Sequence, residues 1–269
     1  MMLSAPVTID LYGITEHGLA GHADTSGRTE VSAALDPEEN TAVILVAGQS
    51  LATNAGETPY TPSSSKVQQI NIYDGLVYEL VDPVLGASST SGSWISRLGD
   101  KLITAGTWER VIFIPIAIGS TSALQWSPDG NQHHRFNVGI KRARQHGYAL
   151  TAILWDQGNR DANAGTSSQD YQDRVNALIA ASRTWGPVSA DTPWFIATET
   201  MKNDTDVSAT IQAAQAAIVA ADDNVFAGAN TDSLTGATNR QSGISHLTDM
   251  GNDNNADLWK AVLDAHFSA

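Results

Sequence analysis

Four short apolar runs lack any polar alternation: AVILVA at Ala42–Ala47, VIFIPIAI at Val111–Ile118, LTAILW at Leu150–Trp155 and WFIAT at Trp194–Thr198. A strand with one face in water alternates apolar and polar side chains. Runs of this kind instead fit strands covered on both faces, as in a parallel sheet. Helical spacings lie between them. Trp94, Ile95, Leu98 and Leu102 recur at intervals of three and four, as do Tyr171, Val175, Leu178 and Ile179 after Ser167-x-x-Asp170, a capping-box start with Asp in place of Glu. Ile211, Gln215 and Ile218 sit in an alanine-rich stretch, and a closing helix over Leu258–Phe267 carries Leu258, Val262 and Ala265 on one stripe. Strand, helix, strand, helix predicts a three-layer α/β/α sandwich with a mostly parallel, flavodoxin-like central sheet and right-handed crossovers.

Residues 1–40 are strand-poor and turn-rich, with Gly13, Gly18, Gly21, Gly27 and the Asp36–Asn40 turn. They read as a lead-in packed on one main domain, residues 41–269. Within that domain Thr53–Gly92 is rich in Ser, Thr, Pro and Gly, with a hairpin expected over Ile70–Tyr78 and Asp74-Gly75 as its turn. It reads as an insertion near the mouth of a site.

Composition removes several classes of function. With 29 acidic against 15 basic residues, a formal charge of −14, the chain lacks the basic face that nucleic acid or an anionic membrane requires. Charged residues are only 16%, so the surface leans on Ser, Thr, Asn and Gln, which suits uncharged, sugar-like partners. There is no cysteine, hence no disulfide, thiolate metal site or cysteine nucleophile. His133 and His134 are adjacent and no H-E-x-x-H occurs; phosphate-binding glycine motifs are absent too, so no metal and no cofactor is expected. The N-terminus has no basic region followed by an apolar run, and no stretch approaches the ~18 apolar residues of a membrane span. A soluble chain is expected.

In open α/β sheets the ligand crevice lies beyond the carboxyl ends of the strands. Four polar segments fall there: Gly48-Gln49-Ser50; Gly119-Ser120-Thr121-Ser122; Trp155-Asp156-Gln157-Gly158-Asn159-Arg160-Asp161; and Ser242-Gly243-Ile244-Ser245-His246, before the last helix. A serine on a tight turn, two donor loops and a histidine form the parts of an acyl-transfer site. Each has a plainer reading: Ser50, taken alone, reads first as a helix N-cap, Gly119 also as a strand-ending turn, and Trp155 equally as core.

Together these segments resemble the SGNH (GDSL-like) hydrolases, in particular the branch of sialate O-acetylesterases and acetylxylan esterases. That branch carries a G-Q-S nucleophile turn, a G-G-T-S-x-x-x-W segment, a W-x-Q-G-E-x-D segment and a late D-x-x-H. Here they read Gly48-Gln49-Ser50, Gly119-Ser120-Thr121-Ser122 with Trp126, Trp155 to Asp161, and His246, in the same order over about residues 42–266. Three departures stand out: Ser120 replaces the second glycine, Asn159 replaces the glutamate, and Gly243 stands three before His246 where the aspartate belongs.

The resemblance implies the SGNH fold and a serine esterase that removes O-acetyl groups from carbohydrate, with no cofactor. Ser50 is the implied nucleophile and His246 the general base. The oxyanion donors would be the Ser50 and Gly119 backbone N–H groups (Ser120 if the register slips by one) and the Gln157 amide, with Asn159 as competitor. The group orienting His246 is unresolved between Asp249 and Ser242, with a backbone carbonyl or water also open. Gln49, Trp126 and Tyr60 are candidate substrate contacts, while Asp156 and Asp161 read as structural acids bonding loop N–H groups. Two other readings stay open: a carbohydrate-binding domain impaired in catalysis, and a short-chain lipase or thioesterase, which the polar Thr53–Gly92 segment disfavours.

Overall fold

The structure, a computed structural model, describes residues 21–186 and 188–267; most of the lead-in's first half therefore lies outside the described residues. β1 (Thr41–Gly48) is the central strand. Its Val43, Leu45 and Ala47 face one apolar layer, and its Ala42, Ile44 and Val46 the other. That double burial is why the run shows no alternation. Burying one such aliphatic side chain contributes roughly 1.5–3 kcal/mol.

Six more strands complete the sheet: β2 (Val67–Ile70), β3 (Val77–Glu79), β4 (Arg110–Pro115), β5 (Ala152–Asp156), β6 (Trp194–Thr198) and β7 (Val225–Asn230). Their order is β3-β2-β4-β1-β5-β6-β7, parallel throughout except for the antiparallel β2–β3 pair. The helices are α1 (Trp94–Ala105), α2 (Ala123–Trp126), α3 (His133–Gln145), α4 (Asn159–Ala164), α5 (Ser168–Ser182), α6 (Ala209–Ala220) and α7 (Asp249–Phe267). Helices α1 and α7 cover one face, joined by stacked Trp94 and Trp259 rings 5.3 Å apart; α3, α5 and α6 cover the other. This is the expected α/β sandwich with a mostly parallel sheet.

Several expectations need correction. β4 ends at Pro115, not Ile118, because proline offers no N–H to the ladder. The chain still follows β1 beyond it, through Ile116 N–H to Val46 O (2.9 Å) and Ile118 N–H to Gly48 O (3.1 Å). The Ile70–Tyr78 hairpin exists, but its loop spans 71–76 and β2 joins the sheet beside β4, so this stretch is partly framework rather than insertion. β7 was not anticipated; it is an edge strand whose VFAGAN sequence is only partly buried. Nor was α3, a polar segment whose Arg135 and Arg142 are buried by bonding Ile116 O (2.6 Å), Ile72 O and Tyr73 O (both 2.9 Å). The last helix begins nine residues earlier than its apolar stripe, at Asp249.

The described part of the lead-in runs along β3, with Val31 N–H to Val77 O and Glu79 N–H to Thr29 O, both 2.9 Å, and so covers an otherwise open sheet edge. Among the described residues no helix is long and apolar enough to cross a membrane.

Candidate active site

The carboxyl ends of β1, β4 and β5 converge at Ser50. Gly48 has φ 138°, and a Cβ there would lie 2.0 Å from Asp156 O, so only glycine lets β1 approach the end of β5 this closely. Gln49 N–H then bonds Asp156 O at 3.0 Å, and the chain turns into a 3-10 turn over Ser50–Ala52. Thr53 holds that turn through its N–H (3.2 Å) and hydroxyl (2.7 Å) to Ser50 O. Ser50 is half-buried, and among the described residues neither its Oγ nor its N–H has a partner.

The 119–122 loop lies alongside. Thr121 Oγ1 donates to Ile118 O at 2.7 Å, and Ser120 takes the left-handed φ of 62° that glycine would hold without strain. A Cβ on Gly119 would sit 3.9 Å from the Ser50 Cβ. The Gly119 N–H, expected as an oxyanion donor, is instead spent on Ser88 Oγ at 2.8 Å. The Ser120 N–H has no partner among the described residues.

His246 is presented by a small hairpin. Gln241 N–H bonds His246 O (2.9 Å), and the Gln241 amide donates both to Leu247 O (2.8 Å) and to Ala55 O (3.2 Å), just past the Ser50 turn. Leu51 packs with Leu234 and Leu247. The hairpin is thereby seated against the turn that bears Ser50. Burial, and then the Arg240 charge, hold the His246 pKa below its ordinary value, so the half-buried ring is a neutral proton acceptor at neutral pH.

Other expected contacts are committed elsewhere. Gln157 is fully buried, its amide donating to Asp161 Oδ2 (2.7 Å), Thr121 O (3.1 Å) and Gln49 Oε1 (3.2 Å), which removes it as an oxyanion donor. Asn159 gives its amide to Met201 O and accepts from Gln49 Nε2. Gln49 is itself buried, its carbonyl accepting from Arg160 N–H at 2.8 Å, so it ties β1 to α4 rather than touching substrate. Trp126 has no exposed face and donates to Thr121 Oγ1 at 2.8 Å; it is core, not a sugar platform. Tyr60 lies in a groove of about 390 Å³ between α1 and α7, its hydroxyl on Asp100 at 2.7 Å.

Among the described residues no hydrogen bond joins either named orienting group to the His246 ring. The Asp249 carboxylate accepts from Thr58 N–H (3.1 Å) and Thr58 hydroxyl (2.5 Å) and faces Arg97 at 3.3 Å, fixing the start of α7. Ser242 is exposed without a hydrogen bond among the described residues. Asp161 does bond loop groups as expected, accepting from Ala123 N–H at 2.8 Å.

Beneath the His246 hairpin lies a buried charge cluster that sequence reasoning missed. Asp156 ends β5, Glu199 follows β6, and Asp232 follows β7; Arg240 is buried with them. Arg240 donates to Leu234 O (2.7 Å), Ser245 O and Thr231 O, so it clasps the backbone on both sides of the hairpin. Asp232 accepts from Thr200 and Met201 N–H and from the Thr200 and Gln212 side chains. Among the described residues neither Asp156 oxygen closes a hydrogen bond, which corrects its reading as a loop-bonding acid; the Trp94 indole faces it outside bonding geometry. The available signal was an acid directly after an apolar strand, visible at Asp156 and Glu199.

Burial pushes the Asp156 carboxyl up to about 7, against the opposing pull of Arg240, and burial with the Asp156 charge raises Glu199 well above the carboxylate range. Asp156 therefore keeps a proton in the folded chain that the unfolded chain releases near pH 4. Stability should fall as pH rises from there to about 7. Asp156→Asn is expected to remove this slope. Between about pH 5 and pH 7 the wild type should lose roughly 2 kcal/mol relative to the variant. Urea midpoints at the two pH values measure it, and parallel pH curves would refute it.

The serine turn at the end of the central strand, the loop beside it and the histidine hairpin seated against it all lie at the carboxyl edge of this mostly parallel sheet. The chain belongs to a family of carbohydrate esterases, the sialic acid-specific acetylesterase family, whose model matches residues 93–255. It is thus a carboxylic ester hydrolase acting on carbohydrate. The fold is shared with a protein from Arabidopsis thaliana (TM-score 0.60, 15% identity, 86% of this chain and 98% of that one). It is shared too with a carbohydrate acetylesterase from Xanthomonas citri (TM-score 0.55, 12% identity, 84% and 56%) and a carbohydrate esterase family 3 protein from Talaromyces cellulolyticus (TM-score 0.53, 13% identity, 84% and 98%). No curated protein matches the sequence.

Proposed function

We propose that the chain removes O-acetyl groups from carbohydrate through a Ser50–His246 centre and an acetyl-enzyme intermediate. The observation that carries this reading is the half-buried Ser50 hydroxyl on the turn after β1, without a hydrogen bond among the described residues, with the His246 hairpin seated against that turn. The matched family span begins beyond Ser50, so the nucleophile rests on this geometry and the G-Q-S motif.

Ser50 Oγ attacks the acetyl carbonyl while His246 accepts its proton. The oxyanion is held by the Ser50 and Ser120 N–H groups, both without partners among the described residues and therefore ready to donate. Collapse expels the sugar oxygen, which takes the proton from His246, and leaves acetyl-Ser50. Water, deprotonated by His246, then attacks the acetyl carbon; the Ser50 Oγ–acetyl bond breaks, Ser50 Oγ takes the proton back from His246, and acetate leaves. The hairpin's backbone clasp holds the imidazole where the family's aspartate would otherwise orient it.

The test is acetate release from acetylated xylan and O-acetylated sialic acid, with acid-quenched peptide mass mapping during turnover. An acetyl group on the Ser50 peptide is expected. Sugar binding without acetate release would instead favour the impaired carbohydrate-binding reading, which the Gly243 departure motivates.

A further inference from the structure

The Gly119 N–H points not into an open site but at the Ser88 hydroxyl, 2.8 Å away. A hydroxyl has one hydrogen to give and two lone pairs to receive. Ser88 Oγ uses a lone pair on Gly119, and among the described residues nothing accepts its hydrogen. Ser88 and Ser50 both border Gly119: a Cβ built there would be 3.4 Å from Ser88 Oγ and 3.9 Å from the Ser50 Cβ.

The backbone holds Ser88 there from both sides. Its N–H bonds Ala117 O, in the extension of β4, and its carbonyl accepts from Asn54 N–H, just past the Ser50 turn, both at 3.0 Å. The buried Asn54 amide also secures the loop through Val84 O (3.0 Å) and Ser89 O (3.2 Å). Two non-glycine residues among those described have left-handed φ, Ser89 at 66° and Ser120 at 62°. They directly follow Ser88 and Gly119, the two residues joined by this hydrogen bond. Each such conformation costs on the order of 1–3 kcal/mol and persists where the surroundings impose it, most often at functional sites.

We propose that the Ser88 hydroxyl is an oxyanion donor of the ester-cleaving site, standing in for the Gly119 N–H that it occupies. This rests on the Ser50 reading above. As the carbonyl oxygen of an acetyl ester gains charge under attack by Ser50, the Ser88 O–H donates to it, and the Gly119 N–H feeding Ser88 Oγ strengthens that donation by roughly 10–30% through hydrogen-bond cooperativity. No bond to Ser88 forms or breaks.

The test compares wild type, Ser88→Ala, Ser88→Thr and Ser50→Ala on p-nitrophenyl acetate, together with inhibition by methylboronic acid, which forms a tetrahedral adduct on a serine nucleophile. Loss of one oxyanion donor costs about 10²-fold or more in kcat. Ser88→Ala is expected to lower kcat about that much at nearly unchanged KM and to weaken boronate inhibition by a similar factor, while Ser88→Thr regains most of both. Unchanged or increased kcat in Ser88→Ala would overturn the proposal, since it would mean the freed Gly119 N–H serves as well or better. So would losses that Ser88→Thr does not rescue and that accompany a lowered melting temperature. Turnover that survives in Ser50→Ala, or is absent from the wild type, overturns the nucleophile reading itself and this proposal with it.

Discussion

Ser50→Ala is expected to reduce kcat on acetyl esters by about 10⁴-fold or more while leaving the fold intact. The rate loss follows from chemistry: alanine offers no oxygen to accept the acetyl group, and enzymes of this logic lose on the order of 10⁶ when the nucleophile is removed. The intact fold follows from geometry. Ser50 Oγ makes no hydrogen bond among the described residues, and the turn is closed by the Ser50 carbonyl through Thr53. A melting temperature within a degree or two of wild type should accompany the loss. His246→Ala should fall to a similar floor, and the double variant should be no slower than either single one, because the two groups act as a unit. Independent, multiplying losses would separate His246 from Ser50 and dismantle the proposed centre.

Arg240→Met is expected to destabilise the protein by roughly 3–5 kcal/mol, the cost of breaking a buried charge cluster from one side. Its guanidinium satisfies the carbonyls of Leu234, Ser245 and Thr231 and faces the carboxyl groups of Glu199, Asp232 and Asp156. A methionine of similar length fills the space but leaves three carbonyls without donors. Arg240→Lys keeps the charge and loses the fork, so it should fall between the two. Urea denaturation at neutral pH measures the series; a loss under about 1 kcal/mol in Arg240→Met would show that the cluster is not integral to stability. The same residue bears on the reaction. Arg240 disfavours protonation of His246, so in Arg240→Gln, where the cation is gone, the acid limb of the kcat/KM profile should move to higher pH.

The cluster explains a limit of sequence reading here. Asp156 stands in a motif and was legible as an acid at a strand end, yet its lack of hydrogen bonds depends on which side chains surround it. Arg240 stands in a polar loop with no motif around it. Only the packing of the hairpin over the ends of β5, β6 and β7 brings it among three carboxylates. The amides behave likewise. Gln49 and Gln157 are 108 residues apart, and their mutual bond turns both away from the site. A motif says that a glutamine follows a strand, not which way its amide points.

β6 was placed to the residue and β1 and β5 nearly so, because a strand covered on both faces tolerates almost no polar side chain and the run itself records that burial. β7 and α3 escaped for the converse reason. An edge strand needs little apolar sequence, and a helix that buries arginines against backbone carbonyls looks solvent-exposed by composition.

By itself, then, the sequence determined the parallel sheet and the order in which polar loops emerge at its carboxyl edge, since local apolar pattern and strand-end position are properties of contiguous residues. The tertiary structure alone decided which loop groups are taken up and by what: Gly119 bonded to Ser88, Trp126 sunk in the core, Asp249 holding Thr58 and Arg97, and the backbone beside His246 clasped by Arg240. Each hydrogen bond consumes a donor, and its partner is chosen by contacts that run across the fold rather than along the chain.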